Sequence, residues 1–148
     1  MANLVFNVAL GRVASLAALP NANDGLVLVP LESSGLVADS TMRDYDTLAD
    51  LLAGASNEQT TVGRKSLTSV SVTVNDSSDR VESDAADVTW TAPTGSAVGA
   101  VVICYDPDTT TGTDADLIPL SKHDVTWTPD GNNFTLSIAD FVRASSSA

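Results

Sequence analysis

Four aspartates crowd one short stretch, Asp106-Pro107-Asp108-Thr109-Thr110-Thr111-Gly112-Thr113-Asp114-Ala115-Asp116. Calcium takes several hard oxygens at once, so Asp106, Asp108, Asp114 and Asp116 are the chain's best candidates for metal ligands. Their spacing departs from the helix–loop–helix calcium site. The sixth position is Thr111 where a glycine is needed, and the twelfth is Leu117 where a bidentate glutamate is needed. The expectation is therefore a solvated loop with no bound metal. The acidic run Asp76, Asp79, Glu82, Asp84 and Asp87 is expected to be solvated too.

Nucleophilic chemistry has few candidates. His123 is the sole histidine, and Asp124 follows it directly. Neighbours in a strand point to opposite faces, so the two are poorly placed for a Ser-His-Asp relay. No Gly-x-Ser-x-Gly elbow is present. Gly95 and Gly99 precede no Gly-Lys-Ser/Thr, so no phosphate cradle is expected. Cys104, the only cysteine, lies in Val101-Val102-Ile103-Cys104-Tyr105 and is expected to be a small buried hydrophobe. Arg64-Lys65, the only basic doublet, is expected to be solvated, the alternative being an ion pair with a neighbouring subunit's acidic loop. Neither catalytic nor cofactor-binding residues are assigned.

The two tryptophans sit in a repeated pentapeptide, Asp-Val-Thr-Trp-Thr, at 87–91 and 124–128. Val and Trp are two apart, so in an extended chain they share one face. Both rings are expected to be buried. Exposed, either could stack on a sugar.

Positioning these residues falls to short strands. Residues 4–10 alternate and predict a strand, and 13–19 fit either a strand or a short helix. Leu26–Leu31 predicts a strand with Pro30 at its edge or end. The one good helix spans 41–53, with Thr41 or Asp44 as N-cap and Gly54 as its stop. Its apolar stripe is Tyr45, Leu48, Leu51 and Leu52. Residues 57–65 read as a polar loop. Val70, Val72 and Val74 alternate with polar residues, 75–79 is a turn, and 80–83 starts a return strand. Val98–Tyr105 is the most apolar segment and predicts a central strand. The alternating runs flanking Pro129-Asp130-Gly131-Asn132-Asn133 predict a β-hairpin. The sum is eight or nine strands in one domain over 1–148. The expected fold is mainly β, a β-sandwich or partly closed barrel (jelly-roll-like) with one short helix near 41–53.

The totals agree with a packed β body. The 148 residues are 43% hydrophobic but only 5% aromatic, so the core must be aliphatic. A formal charge of −12 repels phosphate backbones and argues against nucleic acid. No apolar run approaches the roughly 18–20 residues that span a membrane, and Met1–Phe6 lacks the basic flank of a signal peptide. Cytoplasmic synthesis is expected.

The segments Val72-Thr73-Val74-Asn75-Asp76 through Asp87–Thr91, and Cys104-Tyr105-Asp106-Pro107-Asp108 through Leu117-Ile118-Pro119-Leu120, together resemble small structural proteins of tailed bacteriophages. Gly11-Arg12-Val13-Ala14, Asn23-Asp24-Gly25-Leu26 and Tyr45-Asp46-Thr47-Leu48-Ala49 fit the same group. The resemblance implies a non-enzymatic virion component and carries over no functional residue. An accessory capsid decoration or cement protein is expected, partnered by the major capsid protein or other virion proteins. A homo-oligomer, such as a trimer, is expected, with strand 4–10 pairing onto a neighbour. A tail fibre or baseplate component and a carbohydrate- or receptor-binding module are the alternatives.

Overall fold

The computed structural model describes residues 2–19, 21–54 and 56–145. Strands account for 38% and helices for 13%, so the chain is mainly β. In chain order the elements are β1 (Leu4–Val5), α1 (Val13–Ala17), β2 (Gly25–Glu32), α2 (Asp39–Met42) and α3 (Leu48–Ala53). Then come β3 (Lys65–Ser66), β4 (Ser71–Asn75), β5 (Arg80–Asp84) and β6 (Val88–Trp90). The last four are β7 (Val98–Asp106), β8 (Ile118–Trp127), β9 (Phe134–Leu136) and β10 (Val142–Ser145).

One sheet runs β1-β8-β7-β2-β3, a second β10-β5-β4, and a third pairs β6 with β9. None closes into a barrel, and the arrangement is sandwich-like. The five-stranded sheet is apolar on both faces. In β2, Leu26 and Leu28 face one core with Val101, Ile103 and Tyr105 of β7. Val29 and Leu31 face a second core with Val102 and Cys104. Continuous apolar runs like Val98–Tyr105 arise because neither face meets water. The first core is covered by α1 and the two smaller sheets, and the second by α2 and α3.

Pro30 lies inside β2, not at its end. Its carbonyl accepts from the Gln59 amide (2.9 Å), so its ring nitrogen faces the flank where β3 has stopped. Only the isolated bridge Leu31–Glu58 runs there, and the missing N–H interrupts no ladder.

Several expectations need correction. Residues 4–10 are not one strand: after Val5 the chain turns into a 3₁₀ turn at Asn7–Ala9. Phe6 is thereby fully buried in the second core while Leu10 is 61% exposed. The helix over 41–53 is two helices broken at 43–47, and 13–19 contributes a third helix. Thr47, not Thr41 or Asp44, is the N-cap of α3: its Oγ1 accepts from the Asp50 amide at 3.1 Å. The stripe survives, with Leu48 and Leu51 buried. Gly54 does stop α3, but through close approach, because a Cβ there would lie 1.9 Å from the Tyr45 hydroxyl.

The expected hairpin across 129–133 does not form. β9 pairs with β6, matching Trp90 to Phe134 and Val88 to Leu136. A long loop leaves register free. Here Gly131, at φ 84°, instead donates its amide to Pro93 O at 2.9 Å. The return strand thereby reaches Trp90, and the two pentapeptide copies meet. Trp90 and Trp127 lie 5.5 Å apart, and Phe134 stacks on Trp127 at 4.1 Å.

The cap assignment is testable. Thr47→Ala should destabilise the fold by about 1 kcal/mol, while Thr41→Ala should stay within about 0.5 kcal/mol of wild type. Urea unfolding followed by tryptophan fluorescence would show it, and equal effects would reject Thr47 as the cap.

Candidate functional site

The four loop aspartates do not converge. Asp106 accepts from the Asp108 amide (3.0 Å). Asp108 accepts from the Thr110 hydroxyl (2.5 Å) and the Thr111 hydroxyl (2.7 Å), which together with the Thr110 amide bring its pKa down to about 2. Asp116 closes a turn on Thr113, and Asp114 turns away to Arg64. No three metal-ligating side chains meet among the described residues. In the other acidic run, Glu82 pairs with Arg80, and Asp87 holds the Ile138 amide at 2.8 Å.

Arg64 is not a solvated or intersubunit cation. Its Nε and Nη2 grip Glu58 at 2.8 and 2.7 Å, and its Nη1 and Nη2 grip Asp114 at 2.6 and 2.9 Å. These charge-assisted bonds raise the guanidinium pKa further and lower that of Asp114. They clamp the loop 106–116 against the segment that leads into β3.

A cleft of about 440 Å³ opens between β8 and the chain around β9 and β10. Leu28, Val101 and Ile103 line it, with His123 beside them. His123 Nε2 lies 3.0 Å from Ser121 Oγ. The two residues are two apart, so they share a face. Burial lowers the His123 pKa, so the ring is neutral at pH 7. Ser121 is only 1% exposed, which shields its hydroxyl from an incoming substrate. Asp124 borders the same cleft, but its carboxylate turns to the other face, as expected for a neighbour in a strand.

There it meets Lys122, which sequence inspection did not single out. Lys122 is fully buried. Its Nζ donates to Ala2 O (3.0 Å) and Asp39 Oδ1 (2.9 Å), and it lies 2.5 Å from Asp124 Oδ1. All three ammonium protons thus have acceptors. Asp39 Oδ2 also accepts from the Ala2 amide at 2.7 Å, and that bond and Lys122 lower its pKa. A usable signal was present: a lone lysine inside a strand, with an aspartate two residues on and so on its own face. Asp39, 83 positions away, carried no such signal.

Trp90 is 2% exposed and donates its indole N–H to Gly63 O at 3.1 Å. One face of Trp127 is covered by Phe134. The Cys104 thiol is fully buried, and its pKa is pushed up by desolvation, which suppresses the thiolate.

No family model, no curated protein and no solved structure matches this chain.

Two predictions follow from these groups. Lys122→Met should cost about 2 kcal/mol, since the half-buried Asp39 and the more exposed Asp124 lose their charge-assisted partner. Adding Asp39→Asn and Asp124→Asn should restore most of it, as read by urea midpoints. If the triple variant is no better than the single one, the charge cluster is not what Lys122 serves.

The second concerns pH. His123 is lowered in the folded state, so its contribution is whole above about 6.5 and fades as pH falls through the folded value. Asp39, Asp108 and Asp114 are also lowered, so theirs is whole above about 4 and fades as pH falls through their folded values, about 2 for Asp108. Thermal melts should therefore show two declines on acidification. His123→Gln should abolish the first and keep the second.

Proposed function

We propose that this chain is a non-enzymatic structural protein of a tailed-bacteriophage particle, serving as a decoration or cement protein on the capsid. The resemblance over Val72–Asp76, Asp87–Thr91 and Cys104–Asp108 supports the particle assignment. The internal commitment of the reactive side chains supports the non-enzymatic one, and it is the observation that carries this conclusion. Arg64 is spent on Glu58 and Asp114, and Lys122 on Asp39 and Asp124. His123 contacts a serine that solvent barely reaches. Groups used to brace a fold are not poised to attack a substrate.

The charge of −12 suits an outer position, where like-charged particles repel one another. Copies repeated around a symmetric shell need only weak individual contacts, because simultaneous docking multiplies them. The major capsid protein or another virion protein is the expected partner. The carbohydrate-binding alternative is less favoured, since Trp90 is enclosed and one face of the half-buried Trp127 is covered by Phe134.

Copy number tests the assignment. Quantitative staining or mass spectrometry of purified particles should find on the order of hundreds of copies per virion. A handful would point to the tail fibre or baseplate instead. Absence from washed particles would overturn the virion role.

A further inference from the structure

We infer that β4 is a self-pairing edge through which two copies of this chain join their sheets. β4 lies at the outside of the sheet β10-β5-β4, and alternate residues of an edge strand aim N–H and C=O groups outward. Its ladder to β5 is regular from Ser71–Asp84 to Asn75–Arg80, with no bulge to twist the edge away. Soluble proteins block such edges with charge, proline or a bulge. β4, Ser71-Val72-Thr73-Val74-Asn75, has none of these.

Charge selects the occupant. From Ser66 to Asn75 no residue is charged, in a chain of net −12. Two such acidic chains repel almost everywhere else, and this strip lets them approach. The other edges are poorer. β1 and β3 have two residues each, β6 and β9 three, and β10 carries Arg143.

The strand is also complementary to itself. Antiparallel pairing about Thr73 sets Thr73 against its own copy and Val72 against Val74. Asp76 would then face Val70, so no like charges oppose each other. A threonine pair across strands already occurs here: Thr89 and Thr135 hydroxyls lie 2.8 Å apart between β6 and β9. Val74 is 68% exposed and Leu10 is 61% exposed, the two large hydrophobics left in solvent among the described residues. Val74 pairs with Val81, and Val81 lines a shallow hollow together with Leu10. Joining two β4 strands covers Val74 with Val72 of the second copy.

This contact takes β4 in place of residues 4–10 as the augmenting strand, because β1, although also an edge, offers only two residues for pairing. A self-complementary edge gives a closed two-fold pair, not a threefold ring. The inference is independent of the phage assignment.

Sedimentation of the purified protein should give twice the 15.2 kDa chain mass, with higher salt tightening the pair. Val74→Lys, at a site already in solvent, should weaken dimerisation by at least about tenfold while tryptophan fluorescence stays native. Thr73→Cys should link two copies under mild oxidation, since the native Cys104 is buried and cannot compete. Ser78→Cys, at the hairpin tip, should not. A monomer at all concentrations, a dimer indifferent to Val74→Lys, or a dimer in which Thr73→Cys fails to link would each overturn the inference.

Discussion

A sheet that is apolar on both faces must be covered twice, and the rest of this molecule answers that demand. β2 and β7 alternate between two cores without offering a polar side. Helices α2 and α3 cover one face. Helix α1 and the two small sheets cover the other. Each cover is too slight to stand alone: α3 has six residues, and the β6–β9 ribbon pairs over three positions. They persist because docking removes apolar surface from water.

The edges of that sheet explain the ionic groups. Where β8 is flanked only by the two residues of β1, the chain adds Lys122, which gathers Ala2, Asp39 and Asp124 into one polar cluster. At the far edge, Arg64 holds Glu58 and Asp114 beside the short β3. Both clusters brace places where strand pairing is shortest. In a chain with nineteen acidic and seven basic residues, each internal cation also relieves repulsion among carboxylates. Both clusters serve cohesion.

Aromatic packing shows the same economy. Trp90, Trp127 and Phe134 come from three strands and form one group in the first core. It joins the β6–β9 ribbon to the end of β8. The repeated pentapeptide therefore has a structural meaning: its copies supply two rings to a single contact.

Local pattern determined much of this protein. The two-residue period of Val88 and Trp90, the unbroken run 98–105, the turn at 75–79 and the stripe Leu48–Leu51 were legible, because each depends on neighbours only a few positions apart. Tertiary structure decided which strands pair and which charges meet. β9 bonds to β6 instead of doubling back on β8, and this pairing sets Phe134 beside both tryptophans. Lys122 finds Asp39, and Arg64 finds Asp114, across separations of 83 and 50 residues. Such partners are chosen by where the covering layers land on the central sheet, and no periodicity in the chain encodes that.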